Sequence, residues 1–142
     1  MPTPQQVVDH MLEKDAFSRL LALIVDEVKE GYCKLHFTVR ADMLNGFDVL
    51  HGGVTYSAAD SAFAFASNGY NRLTLALTTT IDYFETGKVG DVITVEATEE
   101  SLRLKTGVYL VRVTNDNGKL IALLKGTGYR TDKPLIAAIS AK

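Results

Sequence analysis

The run from Gly52 to Asn68, GGVTYSAADSAFAFASN, constrains this chain more than any other stretch. It is small and apolar except for one acid, Asp60, and a helix of about 17 residues can lie across a sheet and cover one face. The chain enters it from a polar loop (Asn45, Gly46, Asp48) through His51-Gly52-Gly53. A glycine pair lets backbone come close to another molecule, because no Cβ stands in the way. The first N–H groups of a helix lack partners within it and carry the positive end of its dipole. Gly52-Gly53 therefore reads either as a cradle for developing negative charge or as a tight turn before a core helix. Ala58, Ala59, Ser61, Ala62 and Ala64 leave little bulk around Asp60, which suggests room for a ligand. A buried carboxylate is costly and seldom kept without a partner or a task. Gly52 and Asp60 stand 8 positions apart, about 12 Å along a helix. A reacting carbon must lie roughly 3 Å from both nucleophile and oxyanion donors, so the two groups of one chain cannot serve it together. If both act on one substrate, the site is shared between two subunits, and a C₂ pair makes two such sites.

The rest of the chain sets the frame. Its 142 residues make one domain with a substantial core, and 46% hydrophobic with 23% charged residues is ordinary for a globular protein. A net charge of −2 gives no general attraction to nucleic acid or membrane. The single Cys33 excludes an internal disulfide and a cysteine metal cluster, and fits a reducing compartment. The aliphatic run Leu20–Val25 is too short to span a bilayer. The N-terminal residues carry no secretory pattern, so the expected location is cytoplasmic.

In order, Thr3, Pro4 and Gln6 open a first helix whose stripe is Val7, Val8, Met11 and Leu12, extended by Phe17. His10 on it reads as a solvated surface residue. Leu20–Val28 is β-rich and turns at Lys29-Glu30-Gly31 into a strand over Tyr32–Val39, where Cys33 and His36 read as structural. Arg40–Leu50 is a loop, and Asn68–Asn71 stops the central helix. Strands follow over Leu73–Phe84, Val92–Thr98, Lys105–Thr114 and Leu120–Tyr129, with a hairpin turn at Asn115–Gly118. Gly126 and Gly128 mark a bulge or a close approach. Hairpins joining the consecutive C-terminal strands predict an antiparallel α+β domain over residues 1–130, followed by a loose tail over 131–142.

Asn45, then His51-Gly52-Gly53 six positions on, then Asp60 nine positions after His51, resembles the hotdog-fold acyl-CoA thioesterases of the phenylacetic-acid-degradation (PaaI) type. The segments ADSAFAFASN, TIDYFETGKVGD and GKLIALLKGTGYR are similar to that family too, so the resemblance covers roughly Asp42 to Arg130. It implies a six-stranded antiparallel sheet wrapped around the central helix, and dimers that often pair into tetramers. It implies Asp60 as general base or nucleophile and the Gly52 N–H as oxyanion donor, with Gly53 as a secondary donor. Asn45 would position the water or thioester, and His51 would brace the loop. Family members often carry a hydroxyl or acid on the strand after the helix; here Ala76 holds that place, and Thr78, read as two residues on along the same face, is its substitute. Coenzyme A is polyanionic, which directs attention to Arg103, Lys105, Arg130 and Lys133. Phe63, Phe65 and Tyr83 line an aromatic acyl pocket or pack the core. No metal and no cofactor beyond the coenzyme A of the substrate is called for. Two other functions fit the same residues: a hotdog-fold hydratase or dehydratase with His51 in the acid–base role, and a non-catalytic acyl-CoA sensor.

Overall fold

In the computed structural model, which describes residues 1–137, the first helix begins as its capping residues require. The Thr3 hydroxyl accepts from the Gln6 N–H, and the Gln6 side chain accepts from the Thr3 N–H. This helix, α1 (Pro4–Lys14), buries Val7 and Val8. It does not continue to Phe17. The Asp15 carboxylate captures the Ser18 N–H at 3.0 Å and starts a new helix, α2 (Ala16–Leu20), on which Phe17 is exposed. The β-rich reading from Leu20 therefore begins too early, and β1 spans Ile24–Lys29.

Six strands make one antiparallel sheet: β1, β2 (Tyr32–Thr38), β3 (Arg72–Tyr83), β4 (Val92–Leu102), β5 (Thr106–Thr114) and β6 (Leu120–Pro134). Their spatial order is β1-β2-β4-β5-β6-β3. The helix α3 (Gly52–Asn68) lies against this sheet, its Ala58, Ala59, Ala62, Phe63, Phe65 and Ala66 buried against Leu35, Phe37, Val95, Val111 and Leu124. The hotdog architecture expected from the resemblance is the one observed.

Three local expectations change. Strands β3 and β4 are not hairpin partners: β3 pairs with β6, at the far edge, and residues 84–91 cross the end of the sheet. That crossing is anchored by the Phe84 N–H on the Ile121 carbonyl and the Gly90 N–H on the Val39 carbonyl. Strand β4 runs on to Leu102, beyond the expected end at Thr98, because a bulge between Glu99 and Ser101 resets the alternation. The expected tail is held as far as Ile136. Strand β6 runs to Pro134, the Thr131 hydroxyl donates to the Leu73 carbonyl at 2.7 Å, and Asn71 exchanges two hydrogen bonds with Ile136. Residues 138–142 of that tail lie outside the described residues.

The glycines of β6 mark a close approach. A Cβ on Gly126 would lie 2.9 Å from the Phe63 ring, and one on Gly128 would lie 2.7 Å from Thr74 Cγ2. They open a notch in the sheet for Phe63, whose ring also meets Tyr109 at 5.6 Å between centroids.

At the far edge, β3 exposes Leu75 (53%) and Leu77 (58%), and Phe84 just beyond it is exposed as well. A long strand edge carrying bare apolar side chains is a surface suited to pairing with another strand. No helix among the described residues is long and apolar enough to cross a membrane.

Candidate active site

The loop ahead of α3 closes on itself through a bridge between Leu44 and Leu50. Asn45 Oδ1 accepts from the N–H of Phe47 at 2.9 Å and of Val49 at 3.4 Å, an Asx turn that leaves Asp48 at a φ of 59°. The side-chain carbonyl of Asn45 is thus engaged in bracing, and its Nδ2 is the group left to address a ligand. The helix tip hangs on this loop, with the His51 N–H donating to the Met43 carbonyl and the Leu50 N–H to that of Gly87, each at 2.8 Å.

His51 caps the helix: its Nδ1 accepts from the Gly53 N–H at 2.8 Å. An accepting Nδ1 carries no proton, so the neutral ring holds its proton on Nε2. Gly53 is consequently unsuited to the secondary oxyanion role, since its N–H is already bound. The Gly52 N–H has no partner among the described residues. Neither glycine needs a left-handed backbone. A Cβ on Gly52 would lie 3.2 Å from the Tyr83 ring, and one on Gly53 would lie 2.9 Å from His51 Nδ1. The close approach that the glycine pair permits is therefore by the protein's own side chains.

Asp60 sits 8 positions along the same helix, about 12 Å from Gly52. It is half-buried and, among the described residues, has no hydrogen bond or ion pair. Burial raises its carboxyl above the ordinary range, and the nearby Asp15 carboxylate raises it further. The Ser18 hydroxyl donates to Asp15 at 2.6 Å and meets the Ser61 hydroxyl at 2.8 Å, tying α2 to α3 beside the acid. On the other flank Tyr56 Oη and Thr79 Oγ1 are 2.6 Å apart, tying α3 to β3. Between these ties Asp60 shares an incompletely buried stripe with Gly53, Ser57 and Ala64, at helical spacings of three and four. Ala58, Ala59 and Ala62 do not border it. They are fully buried and let the helix lie close to the sheet.

Several expected site residues lie elsewhere. Ala76 pairs with Gly128 on the inner side of the sheet, where it is exposed, but a bulge separates it from Thr78, which pairs with Thr127 on the outer face. The hydroxyl that reaches the helix is that of Thr79. Phe63 and Phe65 are core residues, 2% and 0% exposed, so neither lines an open acyl pocket. Tyr83 is 49% exposed at the helix tip, where its hydroxyl donates to the Gly52 carbonyl at 2.8 Å. Arg103, Lys105, Arg130 and Lys133 gather where the β4–β5 turn meets the end of β6, with the Arg130 guanidinium over the Tyr70 ring and donating to the Arg103 carbonyl. That is the Asn68 end of α3, a helix length of about 25 Å from Gly52 in the same chain. Sequence reasoning missed Asp15 and the cleft of about 370 Å³ beside the tip, where Phe17, Met43, Leu44 and Val54 surround His51 and Asp42. The spacing of Asp15 three residues before Ser18 was the available signal for a cap.

A carboxylate of raised pKa without a partner and an open amide at the positive end of a helix are groups of the kind that acyl transfer can use. They occur here on one helix, too far apart to meet. Against known proteins, the family model of the thioesterase superfamily matches residues 47–122, which run from the loop ahead of α3 to the start of β6. An esterase candidate from Archaeoglobus fulgidus is 42% identical over 129 residues, 91% of this chain and 84% of its own length. The acyl-coenzyme A thioesterase PaaI of Escherichia coli is 37% identical over 120 residues, 84% of this chain and 86% of its own. The solved structure of the E. coli PaaI protein superposes with a TM-score of 0.90 and 34% identity, covering 92% of this chain and 95% of that one. The helix tip and the acid-bearing helix fall within the residues that the family model matches, and the chain belongs to the thioesterase superfamily.

Proposed function

We propose that this chain hydrolyses acyl-CoA thioesters as a homodimer, with each reaction centre built from Asp60 of one subunit and the Gly52 N–H of the other. The observation that carries the reading is the placement of both groups on α3, one without an ion-pair partner and the other without an acceptor, about 12 Å apart. The exposed β3 edge, with Leu75 and Leu77, is the surface on which a second copy docks, and pairs of dimers form tetramers. The E. coli relative, named for acyl-coenzyme A and coming from the phenylacetic acid degradation operon, supports aryl- or phenylacetyl-type acyl groups as substrates.

In the reaction, Asp60 takes a proton from water as the water oxygen attacks the thioester carbonyl, or attacks that carbon itself to give an anhydride that water then opens. The carbonyl oxygen gains charge and is held by the Gly52 N–H, a contact worth about 10²–10³ in rate. Collapse breaks the carbon–sulfur bond and releases the acid and the thiol of coenzyme A. Asn45 Nδ2 orients the thioester or the water, and the group needs no cofactor besides the substrate's own coenzyme A. The occupied Nδ1 of His51 argues against that residue as the base of a hydratase. A reducing cytoplasm suits the single buried Cys33.

Thiol release from phenylacetyl-, benzoyl-, hydroxybenzoyl- and straight-chain acyl-CoA tests the reading. Asp60→Asn is expected to lower turnover by about 10³-fold or more with the fold retained. Near-normal turnover in that variant overturns it, and binding of the esters without thiol release identifies a sensor instead.

A further inference from the structure

The peptide between Gly52 and Gly53 is gripped at both ends by side chains from different parts of the chain. Its carbonyl accepts from the Tyr83 hydroxyl at 2.8 Å, at the end of β3. Its N–H donates to His51 Nδ1, also at 2.8 Å. The same two side chains occupy the space where each Cβ would stand, the Tyr83 ring 3.2 Å from the position over Gly52 and the His51 ring 2.9 Å from that over Gly53. Later helical peptides are oriented by the i→i−4 ladder, but the first ones have no ladder bond on their N–H side. Here side chains do that orienting. The Gly52 N–H belongs to the preceding peptide, joined to this one through the Gly52 Cα, so holding this plane and packing the Tyr83 ring against Gly52 narrow the φ and ψ through which that N–H can turn.

We propose that Tyr83 is a positioning residue for the Gly52 amide, acting through the series Tyr83 O–H to the Gly52 carbonyl and Gly53 N–H to His51 Nδ1. Hydrogen bonds joined through one peptide group strengthen each other, so the phenol makes the Gly53 N–H a better donor. A better donor holds His51 in the tautomer protonated at Nε2, leaving that N–H as a fixed donor at the rim of the cleft bordered by Phe17 and Asp42. The tyrosine thus has a task distinct from lining an acyl pocket. Its consequence for catalysis rests on the thioesterase reading; its consequence for the geometry of the helix tip does not.

The test compares Tyr83→Phe, which keeps the ring on Gly52 and deletes the hydroxyl, with Tyr56→Phe, which deletes the neighbouring phenol on Thr79. Imidazole ¹⁵N shifts report the His51 tautomer, and amide hydrogen exchange reports Gly53, both readable whether or not any thioester is cleaved. In Tyr83→Phe, Gly53 exchange should rise about tenfold and the His51 tautomer should become mixed, while Tyr56→Phe changes neither. With a cleavable acyl-CoA, Tyr83→Phe should lower kcat by about 10- to 100-fold at unchanged KM and melting temperature. Unchanged tautomer and exchange in Tyr83→Phe, or equal changes in Tyr56→Phe, overturn the series. Altered exchange with unchanged kcat in an active enzyme overturns the catalytic consequence. Failure of the wild type to cleave any thioester sinks the thioesterase reading and leaves the tautomer measurement standing.

Discussion

At the residue scale the chemistry turns on the charge state of Asp60. Burial and the Asp15 carboxylate both favour its protonated form, so the acid limb of kcat/KM should lie above the ordinary carboxylate range. Asp15→Asn removes the second cause and should move that limb to lower pH, read from a pH–rate profile on one acyl-CoA. The Asp60 carboxyl holds its proton in the folded chain over a pH window in which the unfolded chain has lost it. Stability is therefore present below the unfolded pKa and lost as pH rises through the folded pKa. Asp60→Asn should accordingly melt higher than wild type at neutral pH, with the two curves converging in acid. A variant that loses activity and gains stability marks a residue kept for function.

Among the elements, the contact of α3 with β6 is the most demanding. Phe63 fits a notch made by Gly126 and Gly128, and a methyl on Gly126 would stand 2.9 Å from its ring. Gly126→Ala should destabilise by about 1–3 kcal/mol through overpacking, and Phe63→Leu should relieve part of that loss. Denaturation of the two single variants and the double variant measures the coupling. A purely additive cycle would mean that the ring moves aside freely. The bulges in β3 and β4 act at this scale too, since the one at Ala76–Thr78 decides that Thr79 rather than Thr78 meets Tyr56.

For the whole molecule, the question is whether one chain can complete a reaction centre. Asp60→Asn and Gly52→Val each remove one half, the second by crowding the Tyr83 ring. If the halves come from different subunits, a mixed dimer of the two variants keeps one intact centre out of two. Random exchange of the two inactive proteins should then restore about one quarter of wild-type turnover. Absence of any recovery after verified subunit exchange would show that both groups act within one chain. Leu77→Lys on the exposed edge should shift the mass in solution toward the monomer and reduce activity in step.

The sequence alone determined what depends on neighbours along the chain. The capping pattern of Thr3 and Gln6, the length of α3 with Gly52 and Asp60 at its two stations, and the turn at Asn115–Gly118 follow from local hydrogen bonding and helical rise. The spacing of Asn45, His51 and Asp60 also carried the family resemblance. Tertiary structure decided the rest. Which strand lies beside β3, which face Thr79 takes after a bulge, and whether Phe63 lines a pocket or fills a notch depend on pairings between residues tens of positions apart. A bulge moves one residue and inverts every side chain after it, and alternation of residue types carries no mark of where that happens. The same holds for the glycine pair: its close approach was legible in the sequence, but that Tyr83 and His51 are what approach it depends on the folded chain.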